Sequence, residues 1–290
     1  MLSREAFQEK IKSGLCLLDG ATGSNLRNAG MPKGCCAEQW ILEHPEPLVT
    51  LQRGYAQAGS QIIYAPTFQA QPIALKAVGL EGHTEKINEA LVALSRSAAP
   101  GCLIAGDLTT LATFCDSWDP DCFDVLVDNY RRQIRGLVDG GADLLAAETL
   151  LYPQEAEAIL TAAELEGAGA VLYTFTMQSD GSLFSGADAA PILKDLEQAG
   201  AAAVGFNCVA ADNLTPFLVS KLRRYVKIPL VCKPNAGIPV INDQGMAEYA
   251  MGPEEFRDIL LQCKANGADI LGGCCGTTPD HIAALKNFLP

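Results

Sequence analysis

The chain has 290 residues, 49% hydrophobic and 19% charged, with 27 glycines, enough to bury a large core as one domain or two. Its formal charge of −13, from 34 acidic against 21 basic residues with no run of Lys or Arg, argues against nucleic-acid or anionic-membrane surfaces and favours small-molecule chemistry or a protein partner. No run of about 18 apolar residues occurs, and the opening MLSREAFQEKIKSG reads as a short amphipathic helix without an apolar leader core, so a cytoplasmic protein is expected.

Beyond that helix the chain alternates. Apolar runs at 15–19, 62–65, 102–106, 143–147, 170–175, 202–206, 229–232 and 269–273 read as strands. Segments between them, including 47–59, 87–98, 123–141, 153–167, 189–200 and 253–267, carry apolar residues at three- and four-residue spacing, and several end in glycine as helix C-caps do. Continuous apolar strands without a polar face suit a parallel sheet covered on both sides. Eight such β-then-α units predict one (β/α)8 TIM barrel domain over 1–290. The doubly wound open sheet is the alternative, although no G-x-G-x-x-G follows the first strand. The phrase Gly-Ala-Asp recurs before strands, in GGADLLAAE (140–148) and NGADILGG (266–273), with AGAAAVGFN (199–207) as a looser copy. This is the chemistry of loops at the bottom of a barrel.

A barrel should carry its reactive residues where strands end at the C-terminal face. The residues at or just after the predicted strands are Asp19, Thr67, Asp107, Glu148, Thr176, Cys208, Asn235 and the pair Cys274-Cys275. Carboxylates that close fully apolar runs, as in LLD and LAAE, are expensive to bury without a partner. A polar loop accounts equally for Thr67, Asp107 and Thr176.

Eleven cysteines are many, but the number is odd, no C-x-x-C occurs, and Cys16, Cys102 and Cys232 sit in apolar runs as small hydrophobes would. Disulfides are not expected in a reducing compartment. Three rim cysteines, on the sixth and eighth strands, lie within reach of one another across the barrel mouth, and soft thiolates select zinc. Successive strand residues point to opposite faces, so Cys274 and Cys275 can share an ion only if the chain turns, a freedom that Gly272, Gly273 and Gly276 supply. A vicinal disulfide and simple packing are the competing readings of the pair.

The segments LLDGATGSNL, IIYAPTFQA, ETLLYPQEA, VGFNC, KPNAGIP and GGCCGTTPDHI occur in order between residues 17 and 282. They resemble the homocysteine S-methyltransferase family, which includes betaine-homocysteine methyltransferase and the homocysteine-binding module of cobalamin-dependent methionine synthase. The resemblance implies one zinc ion on Cys208, Cys274 and Cys275, with homocysteine placed through the Asp19-Gly20 turn and Glu148, and methyl transfer to its thiol giving methionine. Glu148 is expected to bind the α-ammonium. Backbone N–H groups near Asp19-Gly20-Ala21 or in the Gly276-Thr277 turn are expected to take the α-carboxylate. Thr67 and Asn235 would line the site, and Asn235 would hold the fourth zinc position when no thiol is bound; PNAG reads equally as a plain β-turn.

The donor is left open between a sulfonium, a quaternary amine and a methylated corrinoid protein supplied in trans, with methylcobalamin then carried by that partner. The cobalamin-dependent relatives continue into further modules, whereas this chain ends after its predicted eighth helix, so only the acceptor half of such a reaction is expected here. Trp40, in NAGMPKGCCAEQW (28–40), would border the donor pocket or lie in a simple loop, and Cys35-Cys36 match no family zinc ligand. Two other readings are a Schiff-base aldolase using Lys233 and a non-catalytic subunit that presents a zinc-bound thiol.

Overall fold

The computed structural model describes residues 1–14, 16–114, 122–242, 247–286 and 288. Helix α1 (Arg4–Lys12) leads to β1 (Cys16–Leu17), then α2 (Gly23–Asn28), α3 (Ala37–Glu43) and α4 (Pro45–Ala58). Next come β2 (Ile62–Tyr64), α5 (Pro72–Leu75), α6 (Thr84–Ala98), β3 (Leu103–Thr109) and α7 (Cys122–Asp139). The middle of the chain forms β4 (Leu144–Leu150), α8 (Pro153–Leu165), β5 (Val171–Phe175), α9 (Ala189–Gln198), β6 (Ala203–Ala210) and α10 (Thr215–Arg223). The last elements are β7 (Leu230–Asn235), β8 (Val240–Ile241), β9 (Ala247–Glu248), α11 (Pro253–Ala265), β10 (Ile270–Leu271) and α12 (Pro279–Lys286).

Eight strands pair in the order β1-β10-β7-β6-β5-β4-β3-β2, all in parallel. A parallel bridge between Leu18 and Ile62 joins the two ends of that order. The sheet is therefore closed, which makes it a (β/α)8 barrel and sets aside the open doubly wound sheet. Strands β8 and β9 lie outside the barrel as a small antiparallel hairpin between β7 and α11.

Side chains alternate along each strand between two buried surfaces. One apolar cluster joins Leu18, Ile62, Tyr64, Ala105, Leu144, Ala146, Leu172, Ala203, Val231 and Ile270, the inward row of the barrel, and Phe7 of α1 completes it from the N-terminal end. The intervening residues, among them Leu17, Ile63, Ile104, Leu145, Val171, Val204, Leu230 and Leu271, belong to a second cluster shared with the helices. That division explains why the strands read as unbroken apolar runs.

The Gly-Ala-Asp repeat has a common structural role at the bottom of the barrel. Asp143 Oδ2 accepts from Ile104 N at 2.7 Å and pairs with Arg96 at 2.6 Å, while Asp269 Oδ2 accepts from Leu230 N at 2.9 Å and pairs with Arg223 at 2.7 Å. Each carboxylate ties the start of its own strand to the preceding strand and helix. Among the described residues, cysteine behaviour departs from expectation at Cys122, which is disulfide-bonded. Such a bond needs only two Cβ atoms brought within reach, which composition does not report. Among the described residues no helix is long and apolar enough to cross a membrane.

Gly205 faces inward on β6, opposite Val231 of β7. A Cβ there would lie 2.8 Å from the Val231 carbonyl carbon and nitrogen, and closer still to its oxygen, all of them backbone atoms that cannot step aside. Gly205→Ala should lower the stability by about 2 kcal/mol or more in urea unfolding; a loss below about 0.5 kcal/mol would contradict this packing.

Candidate metal centre and substrate pocket

The inward row changes character as it climbs towards the C-terminal face. On β4 it runs Leu144, Ala146, Glu148; on β6 Ala203, Gly205, Asn207; on β7 Val231, Lys233, Asn235. Beyond β10 the same parity from Ile270 reaches Cys274. The apolar floor thus gives way to polar side chains that remain almost wholly buried.

Three sulfurs converge in this upper layer. The Sγ atoms of Cys208, Cys274 and Cys275 lie within 4.8 Å of one another, with Cys208 and Cys275 4.0 Å apart. Tetrahedral zinc with Zn–S bonds near 2.3 Å places its sulfurs about 3.8 Å apart, so the three residues fit a metal site with one position left over. Cys274 follows strand parity, but Cys208 and Cys275 do not. Cys208 turns inward through a left-handed backbone, φ 57°, where β6 slips in register against β7. Cys275 turns inward through the bend it shares with Gly276, φ 80°, closed by hydrogen bonds from Thr277 N and Oγ1 to the Cys274 carbonyl at 3.1 and 2.7 Å. Of the three glycines around the pair, only Gly276 takes a left-handed φ; Gly272 and Gly273 are small because Leu18 and Thr277 pack against them. Backbone bonds from Cys274 N to the Pro234 carbonyl, 2.7 Å, and from Ala236 N to the Cys275 carbonyl, 2.9 Å, hold the turn to the end of β7.

The trio is electrostatically primed for a cation. Hydrogen bonds from Cys208 and Cys274, with a smaller contribution from the Tyr249 hydroxyl, draw the Cys275 thiol down to about 3 against the opposing effect of burial. Hydrogen bonding to Cys274 and Cys275 pushes Cys208 up in return. The three thiols are thus coupled through hydrogen bonds that favour the thiolate at Cys275. Tyr249, which follows β9, also lays its ring directly over Gly276.

Beside the sulfurs lies a buried charge cluster. Lys233 Nζ contacts Glu148 Oε2 at 2.9 Å, and both side chains are under a tenth exposed. It also sits 4.7 Å from the centre of the Tyr64 ring. Burial alone would depress the lysine, but Glu148, Cys274 and Asp19 outweigh it and keep it protonated. Burial raises Glu148 and Asp107, Lys233 opposing in both. Asp19 accepts from Tyr64 N at 2.8 Å through Oδ2, whereas its Oδ1 and that of Asp107 are buried with no protein partner. Three carboxylates thus share one lysine and leave acceptor capacity unused.

The remaining expected residues are placed as follows. Thr67 is fully buried, and its hydroxyl both donates to the Asp107 carbonyl at 2.9 Å and accepts from Asp107 N at 3.0 Å, so it buttresses the pocket wall. Gly20 lies where a Cβ would come 2.6 Å from Tyr55 Oη and Thr277 Oγ1, which keeps the first turn close to the last. The Ala21 N–H is engaged by Thr277 Oγ1 at 3.1 Å and the Gly276 N–H by Ser24 Oγ at 3.4 Å. Asn235 Oδ1 is buried without a partner, while its backbone carbonyl accepts from Gly237 N at 2.8 Å, a three-residue γ-turn in place of the β-turn expected of PNAG. Thr176 Oγ1 donates to the Cys208 carbonyl at 3.5 Å. Cys35 and Cys36 stay apart from the sulfur cluster, Cys36 Sγ lying 3.5 Å from the buried Glu38. Trp40 stacks on His44 at 5.1 Å. Lys233, Asn207 and Tyr249 were not singled out for the metal and substrate site by sequence; for the first two, the i, i+2 row through Glu148-like positions was the usable signal.

The family model for homocysteine S-methyltransferases matches residues 16–289. The chain belongs to that family. The homocysteine S-methyltransferase of Escherichia coli K12 is 29% identical over 298 residues, which cover 95% of both chains. Methionine synthase of Mycobacterium leprae is 29% identical over 288 residues, but the match spans 91% of this chain and only 23% of that protein. The chain thus spans about a quarter of the length of the methionine synthases it matches. Among solved structures, the metallated form of the homocysteine methyltransferase MmuM from Escherichia coli superposes with a TM-score of 0.80 at 28% identity, covering 94% of this chain and 96% of that one. A metal-binding relative of the same fold agrees with the three-sulfur cluster of this family member.

The Asp19 carboxyl gives this pocket a pH signature. Burial raises it from 3.8 to about 7 despite the nearby lysine. Because the folded value exceeds the unfolded one, ionisation opposes folding: the penalty is absent below about pH 4 and complete above about pH 7. Asp19→Asn keeps an oxygen for the Tyr64 N–H and deletes the charge. Its stability relative to the parent should therefore rise across that interval, by up to about 4 kcal/mol, in urea midpoints taken as a pH series. A difference that does not change with pH would refute the burial of an ionising carboxyl here.

Proposed function

We propose that this protein transfers a methyl group from a separate donor to the thiol of L-homocysteine, giving methionine, with zinc held by Cys208, Cys274 and Cys275. The reading is carried by one observation: three cysteine sulfurs within 4.8 Å of one another at the mouth of a barrel whose family acts on homocysteine. Zinc on three thiolates, when bound, would keep a fourth sulfur as thiolate at neutral pH while leaving it electron-rich, which favours alkyl transfer over water activation. The donor set suits that metal, since soft sulfur ligands select zinc over magnesium, calcium or manganese. Asn235 would serve as the fourth ligand in the absence of substrate, a role supported by its partnerless buried Oδ1.

The protein groups bind and orient the amino acid. An α-ammonium brings three N–H donors, and the carboxylates of Glu148, Asp19 and Asp107 offer acceptors that Lys233 alone does not satisfy. Glu148 is the principal partner, with Asp19 beside it and the Gly20 turn shaping the wall. Thr67 fixes the strand that carries Asp107. The buried Lys233–Glu148 pair also weakens the aldolase reading, because a lysine held protonated is a poor nucleophile.

The described residues work in this reading as one homocysteine-binding barrel, encompassed by 1–290. The donor belongs to one of three classes: a sulfonium, a quaternary amine, or a methylated corrinoid carried by a partner protein. The cytoplasm is the compartment it calls for, since three clustered thiols persist unoxidised under reducing conditions, a chemistry that the Cys122 disulfide does not share.

Three experiments decide the matter. Purified protein should bind one zinc per chain, and Cys208→Ala, Cys274→Ala and Cys275→Ala should each lose it by metal analysis; a folded parent with no affinity for zinc would sink the proposal. In calorimetry, Glu148→Ala should bind zinc normally but homocysteine at least about 10-fold more weakly, as expected when a charge-assisted contact is lost; unchanged affinity would remove Glu148 from the site. Methionine formation against a donor panel that includes S-methylmethionine, betaine and methylcobalamin should identify the donor class, and zinc binding without transfer from any of them would leave only thiol presentation.

A further inference from the structure

Among the described residues, two that are not glycine adopt a left-handed backbone, Thr149 at φ 59° and Cys208 at φ 57°. Such conformations crowd a Cβ and persist only where neighbours over-determine them. Both occur where strand pairing slips, β4 against β5 between Ala147 and Leu150 and β6 against β7 between Asn207 and Ala210. One side chain spans the two. Asn207 is fully buried, and its Oδ1 accepts from Thr149 N at 2.7 Å and from Thr174 Oγ1 at 3.0 Å. Its Nδ2 donates to Thr149 Oγ1 at 2.7 Å and to Cys274 Sγ at 3.8 Å. All four hydrogen-bonding positions of the amide are thereby used.

We infer that Asn207 is a positioning residue whose clasp on Thr149 sets the amino-acid end of the pocket in register with its sulfur end. The sequence neighbours make the connection direct: Glu148 precedes Thr149, Cys208 follows Asn207, and Cys274 is the sulfur the amide touches. A strand that bulges at Thr149 can aim Glu148 in many directions, and a strand that bulges at Cys208 can swing its sulfur. Bonding both bulges to one rigid amide removes that freedom. The N–H directed at Cys274 adds the outer hydrogen bond that orients a metal-ligating side chain and tunes its basicity. Mere filling of space would need neither a donor facing sulfur nor a matched donor and acceptor facing Thr149.

The inference rests on the proposed zinc site, so its test reads metal affinity as well as substrate. Thr149→Val keeps the branched shape at φ 59°, deletes only the hydroxyl, and removes no atom that contacts a sulfur in the hydrogen-bond network described. Zinc affinity by chelator competition should fall several-fold in Thr149→Val and about 10–100-fold in Asn207→Ala, with homocysteine affinity of the zinc-loaded protein falling in both. Thr149→Ser should restore the parent values, and the double variant should be no weaker than Asn207→Ala alone. Asn207→Asp preserves size but cannot donate to Cys274, so its cobalt(II)-loaded form should shift the sulfur-to-metal charge-transfer band, a readout available even if Thr149→Val fails to fold. Parent-like zinc affinity in folded Thr149→Val, fully additive losses in the double variant, or an unmoved cobalt band would each overturn the inference. A parent that takes up no zinc would fail first, overturning the metal reading and this one together.

Discussion

A strand inside a closed barrel offers only every second side chain to the interior, and the site is organised around that limit. A three-sulfur cluster drawn partly from adjacent residues cannot be met by regular strands. Cys274 arrives on the inward row. Cys208 and Cys275 arrive only because the backbone leaves the strand, through a left-handed residue on one side and a glycine-assisted turn on the other. Departures of this kind are unfavourable in themselves, and the hydrogen bonds of Asn207, Thr277, Pro234 and Ala236 make each of them specific.

The same limit explains why charge gathers in the upper layer. Inward positions low in the barrel meet other strands and must be apolar, whereas those at the top meet the βα loops and an opening. Asp19, Asp107 and Glu148 are therefore buried enough to resist ionisation, and Lys233 is the cation that opposes this in all three. The carboxylates of the pocket keep buried oxygens without partners, and the thiol favoured as thiolate lies in the sulfur cluster beside them. Both groups sit within a single ring of strand ends at the mouth of the barrel.

Much of this was legible beforehand. Alternating apolar runs and helical segments gave the barrel, and the order of VGFNC and GGCCG gave the family and the three sulfurs that do converge. The strand boundaries were less exact: Asp107, Glu148 and Cys208 lie within β3, β4 and β6 rather than after them, because their strands extend into the polar layer. Lys233 was read only as an alternative nucleophile, since nothing local reveals that Glu148, 85 positions away, is its partner. Tyr249 and the hairpin before it carry no apolar periodicity, and the Cys122 disulfide ran against a compositional expectation.

What the sequence determined by itself is the set of elements, their order and the residue types at strand ends, because periodicity and apolar runs follow from local burial. What tertiary structure alone decided is which of those residues meet. Thr149 and Asn207 are 58 positions apart, and Cys208 and Cys275 are 67 apart. No local rule states that β4 and β6 each slip by a residue so that one amide can hold both. That outcome depends on closing the barrel, which fixes the stagger of strands around the ring and forces the misfit to be absorbed where the site is built.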